Sequence, residues 1–174
     1  MALIIVGLGN PGKEYEKTRH NAGRNAVELL AKQEGFDDFV FNGKSKALTT
    51  KGKIGTESAV LVLPETMMNN SGKAVSTFIK SVKAAKNLLV IHDDLDLPLG
   101  TIKMVFGRGS GGHKGVEGVM RAIKTEQFAR IRIGTSPKSG LAFAKATAGK
   151  EEKVIKYVIG KWKPSEELTF KKVL

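Results

Sequence analysis

The chain contains no cysteine. Disulfide cross-links, thiolate nucleophiles and thiolate metal sites are therefore excluded. No apolar run approaches the roughly 20 residues needed to cross a bilayer. The N-terminus also lacks a basic flank leading into an apolar core and a small-residue cleavage site. A cytoplasmic protein without membrane contact is expected. Acidic residues are in deficit: 17 Asp and Glu stand against 29 Lys and Arg, giving a net charge of +12 and a pI of about 9.9. A surplus of this sign favours an anionic partner, most often a phosphate backbone. The plainer reading is a soluble protein that happens to be basic. Histidine is scarce as well, with three residues, so the setting of each one carries information.

With 174 residues, 41% of them hydrophobic, the chain suffices for one domain with a proper core and suggests no second. Residues 1–174 are read as a single domain. ALIIV (2–6) is a continuous apolar, partly β-branched run, the pattern of a buried strand. Residues 7–20 are loop-like. Asn21 is placed to cap a helix over about 22–33, where Ala22, Ala26, Val27 and Leu30 form one face. ALTTK (47–51) and SAVLVLP (58–64) read as paired strands. Residues 69–84 read as one helix with Ala74, Val75, Phe78, Ile79 and Val82 on one side. Then come a strand over 87–98 ending in acidic residues, a strand over 100–106 and a glycine loop over 107–115. A helix over 116–125 and a strand over 128–136 follow. Residues 138–152 are either a loop or a weak helix. Alternating strands and helices in one unit make an α/β fold, a twisted mixed β-sheet flanked by helices.

GLGNPG (7–12), directly after the first strand, satisfies the dinucleotide fingerprint G-x-G-x-x-G. That site needs a helix starting at the third glycine, so that its N-terminus faces a pyrophosphate. Here KEYEKTRHN follows instead, and the clear helix begins near Asn21. An acidic strand end is also expected about 20 residues on, where this chain is helical. No nicotinamide or flavin cofactor is expected. What remains is a glycine-rich turn at the carboxyl end of a strand, where open α/β sheets bind ligands. A tight turn explains the glycines but leaves Asn10, a donor and acceptor in one amide, unexplained.

Each histidine sits in a polar setting: His20 in TRHN, His92 in VIHDDLD and His113 in GGHKG. If the strand ending at Asp93, Asp94 and Asp96 neighbours the first strand, one of these carboxylates meets His20. A carboxylate bound to one ring nitrogen fixes the tautomer and raises the basicity of the other. The free nitrogen then activates water as a general base. Two readings of DDLD compete with this: a Mg²⁺ site, or a solvated acidic turn before Pro98. No short ligand spacing supports a metal held by the histidines. In PETMMNNSGKA, Asn70 or Ser71 is placed to cap a helix, leaving Asn69 for a substrate amide, with Met67 and Met68 either an apolar floor or core. GRGSGGHKG carries Arg108, His113 and Lys114 and reads either as a phosphate-binding loop or as a surface loop.

Taken together, VGLGNPGKEYEKTRHNAG, TMMNNSGKA, HDDLDLPLGTIK, GSGGHKG and RIRIG resemble bacterial-type peptidyl-tRNA hydrolase, in the same order and spacing over residues 1–162. The resemblance implies the peptidyl-tRNA hydrolase-like (phosphorylase/hydrolase-like) fold and a monomer without cofactor, metal or obligate protein partner. It implies cleavage of the ester between a peptide and the tRNA 3′ end, which recycles tRNAs released prematurely from ribosomes. By position, His20 is the general base and Asp93 orients it. Asn10 contacts the peptide backbone and helps reject aminoacyl-tRNA that lacks a peptide. Asn69 hydrogen-bonds the substrate, and Tyr15 and Met67 line the cleft, Met67 standing where relatives commonly have Phe. His113 and Lys114 join the substrate-binding group. Lys103, Arg108 and Arg132, with the strand at 130–133, face the acceptor-stem phosphates. Lys114 departs from the Asn usual in the family. It cannot accept a hydrogen bond and is left to contact a phosphate or a developing oxyanion. The family also continues past GKWKPSEELTF, whereas this chain ends at Leu174; weaker tRNA affinity is expected. Two other functions compete: a non-catalytic RNA-binding relative, and a metal-dependent phosphohydrolase using Asp93, Asp94 and Asp96.

Overall fold

Runs of apolar residues without a polar alternation have no face to show to water, so they belong in the middle of a sheet. The computed structural model, which describes residues 2–137 and 149–174, places two such runs there. These are β1 (Leu3–Gly7) and β5 (Leu88–Pro98). The other strands are β2 (Val40–Asn42), β3 (Ala47–Ile54), β4 (Glu57–Pro64), β6 (Ile102–Phe106) and β7 (Ala129–Ser136). They form one sheet in the order β2-β3-β4-β1-β5-β7-β6. The centre, β4-β1-β5-β7, is parallel, and β2, β3 and β6 add antiparallel at the edges. This is the mixed α/β sheet expected.

Among the described residues, five α-helices cover the sheet: α1 (Ala22–Gln33), α2 (Ser71–Val75), α3 (Lys114–Ile123), α4 (Glu151–Val158) and α5 (Pro164–Val173). Val75 of α2 and Val116 and Val119 of α3 pack on one face, with Val6 and Phe128. Val27 of α1 packs on the other with Leu61 and Ile133, joined by Trp162 and Phe170. Removing a side chain of this size from water contributes about 1.5–3 kcal/mol. Among the described residues, no helix is long and apolar enough to cross a membrane.

Most elements lie where the periodicity predicts, with instructive exceptions. The helix expected over 69–84 is a short α2 flanked by tighter turns. Hydroxyls end it: Ser76 Oγ donates to the Lys73 carbonyl at 3.0 Å and Thr77 Oγ1 to that of Ala74 at 2.7 Å. Such back-bonding competes with the helical ladder. Ala74, Val75 and Ile79 still reach the core, but Val82 is exposed. α3 begins earlier than expected, because His113 caps it by accepting from the Val116 N–H at 3.3 Å. β2 is short and exposed and leaves no alternating signal. Of the 138–152 stretch, 138–148 lie outside the described residues, and α4 takes up its end at Glu151.

GLGNPG is glycine-rich for a reason other than a tight turn. Gly12 alone among its glycines has a left-handed backbone, with φ of 110°. Gly7 and Gly9 are pressed against α1: a Cβ on Gly7 would meet the Gly23 carbonyl oxygen at 2.6 Å, and one on Gly9 the Arg24 Cβ at 2.8 Å. Gly23 closes the same contact from the other side, where a Cβ would sit 2.0 Å from the Ile91 carbonyl oxygen on β5. Gly23→Ala must therefore push α1 off the sheet. A loss of about 1–3 kcal/mol is expected, read as a lower urea midpoint; an unchanged midpoint would show that α1 does not depend on this contact.

Candidate active site

Because β1 and β5 are adjacent and parallel, the loop after β1 and the acidic end of β5 emerge at the same edge. His20 is the middle residue of a 3-10 turn, Arg19–Asn21, that leads into α1. Its neighbours fix it. Asn21 holds the Asn10 backbone at two points: its Oδ1 accepts from the Asn10 N–H at 2.8 Å and its Nδ2 donates to the Asn10 carbonyl at 2.9 Å. The helix-capping role expected of Asn21 is absent, since both ends of its amide are engaged here. Arg19 is buried, pairs with Glu166 at 2.7 Å and lies over the Tyr157 ring at 4.4 Å. It thereby anchors α4 and α5 behind the turn.

Asp93 is 2% exposed and receives two imidazoles. His20 Nδ1 lies 2.9 Å from Oδ1 and 3.0 Å from Oδ2, and His113 Nε2 lies 2.7 Å from Oδ1. Burial works to raise the Asp93 pKa, but the two imidazoles hold it far below the usual carboxylate range. An ionised carboxylate only accepts, so both facing nitrogens carry protons. His113 is then a neutral Nε2–H tautomer, since its Nδ1 accepts from Val116. His20 is left with a bare Nε2 that has no partner among the described residues and faces a cavity of about 450 Å³. Burial opposes charging of His20, yet the charge and hydrogen bond of Asp93 raise its pKa above 6.5. An imidazole with its tautomer fixed in this way can serve as a base toward water.

The remaining expected residues fall into three groups. Asn10, buried, uses its Oδ1 to accept from the Met68 N–H at 2.8 Å. It thus joins the first loop to the 67–70 turn and leaves Nδ2 without a protein partner among the described residues. Asn69 and Met67 are exposed on that turn and Tyr15 is half-buried; none of these lines the cavity. Lys114 is an exposed residue at the cavity rim, its amine 3.8 Å from Glu117 and 3.7 Å from Glu151 of α4. Lys103 and Arg132 are register partners on β6 and β7, Arg132 being tied to Asp94 at 2.5 Å, and Arg108 is exposed on the glycine loop. Val154, Ile155 and Val158 of α4 give the cavity an apolar part of its lining, from a segment whose chemistry the sequence pattern left unread.

Arg130 corrects an expectation. It was grouped with the phosphate-facing strand, but it is 3% exposed and points inward. Alternation along β7 does not separate the two arginines: 130 and 132 share a face, but 130 lies deeper along β5. The metal readings also meet the geometry. The three aspartates diverge, Asp93 to the imidazoles, Asp94 to Arg132, and Asp96 exposed with its N–H on Asp94 Oδ1. His20, Asp93 and His113 do place donor atoms within 4.8 Å of one another. At 2.7–3.0 Å, however, each nitrogen–oxygen pair has the spacing of a shared proton. An ion bonded at about 2.0–2.2 Å to each donor would hold those pairs farther apart.

NMR titration of the three imidazoles tests the electrostatics. His20 should titrate above 6.5 in the native protein. Asp93→Asn removes the group that raises it and leaves the burial that lowers it, so the pKa should drop below 6.5. An unchanged His20 pKa in the variant would contradict the pairing.

The sequence model of the peptidyl-tRNA hydrolase family matches residues 4–174. A peptidyl-tRNA hydrolase of Aquifex aeolicus is 39% identical over 177 residues, covering 98% of this chain and 83% of that protein. One from Campylobacter jejuni is 41% identical over 175 residues, covering 99% and 84%. Among solved structures, the peptidyl-tRNA hydrolase of Acinetobacter baumannii superposes with a TM-score of 0.85 at 36% identity, over 98% of this chain and 82% of that one. On the family model, the identities and the shared fold together, the chain belongs to the peptidyl-tRNA hydrolase family.

Proposed function

We propose that the protein hydrolyses the ester joining a peptide to the 3′ end of tRNA, with His20 as general base. The observation that carries this reading is the bare His20 Nε2, open to the cavity while Nδ1 is locked on buried Asp93. His20 takes a proton from water as the oxygen attacks the ester carbonyl. The resulting imidazolium is stabilised by Asp93. Collapse of the tetrahedral intermediate breaks the bond to the ribose oxygen, and His20 returns its proton there. Peptide acid and free tRNA leave. A non-catalytic binding role would leave this costly buried charge cluster without a task.

The substrate contacts follow from unpaired donors near the base. Asn10 Nδ2 and the exposed amide of Asn69 supply hydrogen bonds to the peptide backbone, with Met67 and Tyr15 as apolar contacts outside the cavity at His20. Asn10 is held on three sides, by Asn21 twice and by Met68. A rigid amide of this kind discriminates a peptide from a bare amino acid, because the shorter substrate leaves the positioned donor without its partner. His113 and Lys114 complete the group, His113 through Asp93 and Lys114 from the rim. Lys103, Arg108 and Arg132 hold phosphates of the acceptor stem, reading backbone and shape rather than bases. We place the enzyme in the cytoplasm as a monomer.

His20→Ala should fold normally and cleave peptidyl-tRNA roughly 10²- to 10⁴-fold more slowly. Native turnover should persist in EDTA, and KM should climb with salt as phosphate contacts are screened. Near-native turnover by a folded His20→Ala protein would overturn the assignment.

A further inference from the structure

Arg130 is a permanent cation buried to 3% exposure, yet among the described residues it makes no ion pair. The charges around it are Arg132, which is paired to Asp94, and Glu126, and His92 stands beside it. One of its amino groups donates to the carbonyls of Arg108 at 2.7 Å and Gly109 at 2.8 Å. The other faces His92 Nε2 at 3.3 Å. A buried charge with these partners is expensive to keep, so its placement calls for a reason.

The reason lies in what it touches. A guanidinium accepts nothing, so the His92 nitrogen facing it is the bare one. The His92 proton then sits on Nδ1, which donates to the Asp93 carbonyl oxygen at 2.7 Å. Burial, with His113 and Arg130 alongside, holds the His92 pKa well below 6.5 and keeps the ring neutral. The same ring stands edge-on to His113, centroids 4.7 Å apart at 62°. At one end, Arg130 pins the loop that delivers His113. At the other, it orients an imidazole that packs on His113 and fixes the peptide group of Asp93. Both paths end on the pair that serves His20.

We infer that Arg130 and His92 are positioning residues, a buried brace that sets Asp93 and His113 relative to His20, and that Arg130 takes no part in holding tRNA. The inference rests on the reading of His20 as the base. It also assigns His92, which neither the motifs nor the hydrolytic scheme otherwise uses.

With three histidines, ¹⁵N-detected NMR resolves each ring. In the native protein, His92 should remain a neutral Nδ1–H tautomer from about pH 5 to 8; an Nε2–H tautomer or a titrating His92 would overturn the brace. Arg130→Lys keeps the charge but loses the planar fork. The expected result is a kcat for peptidyl-tRNA lowered about 10- to 100-fold and a KM changed less than about twofold. The His20 pKa should also move back toward 6.5. A raised KM with a weaker salt dependence, while kcat and the His20 titration hold, would make Arg130 a phosphate contact and overturn the inference. Should Arg130→Lys not fold, His92→Asn keeps a donor for the Asp93 carbonyl and removes the acceptor and the ring, with the same split expected. The tautomer and titration readouts stand whether or not the protein cleaves peptidyl-tRNA, so failure of the hydrolase reading is distinguishable from failure of the brace.

Discussion

Everything at the site depends on one buried carboxylate. Asp93 lies at the carboxyl edge of the sheet's central strands, where a lone anion would cost several kcal/mol. Two imidazole N–H groups and the bracing of its own carbonyl make it tolerable. That satisfaction is also the chemistry. Each donor given to Asp93 fixes a tautomer, and the tautomer of His20 leaves its outer nitrogen bare. The same anion lifts the His20 pKa, so the base is stronger than an isolated imidazole. On the proposed mechanism, stability and catalysis use the same hydrogen bonds, so a change that loosens one loosens the other.

The packing exists to deliver three loops to this point. Gly7, Gly9 and Gly23 let α1 press against β1 and β5, which brings His20 down to Asp93. Asn21 and Asn10 lock the first loop, and Asn10 reaches on to the turn at Met68. The glycine loop is held from beneath by Arg130 and ends in His113, which caps α3 as it donates to Asp93. A rigid first loop paired with an adaptable, charged rim suits a substrate of two parts: a short peptide ester held exactingly, and a large polyanion held by its backbone. The +12 charge serves the second part through long-range attraction rather than through shape.

The sheet centre, α1 and the meeting of His20 with Asp93 were legible in the sequence because their signals are local or topological. Apolar runs mark central strands, and a histidine in the first loop faces the end of a neighbouring strand whenever the two are parallel. The fingerprint GLGNPG was legible only by its failure: the helix starts too late, and two of its glycines pack against that helix. The early end of α2 was hidden because Ser76 and Thr77 suit a helix face as well as they suit back-bonding. The destinations of His113 and Arg130 were hidden for a different reason. A histidine in a glycine loop and an arginine on an alternating strand read as exposed binding groups, and their true partners lie 20 and 38 residues away in sequence. The apolar wall from α4 was likewise invisible, because nothing local ties that helix to β5.

The central claim is that neutral His20, supported by Asp93, is the base that activates water. The most direct measurement is the pH dependence of kcat/KM for peptidyl-tRNA, set beside the NMR titration of His20 in the same protein. The account predicts a single acid limb, with the rate rising as His20 loses its proton. Its midpoint lies above 6.5 and coincides with the His20 pKa. A rate that stays level while His20 titrates, or a limb displaced from that titration, would contradict it.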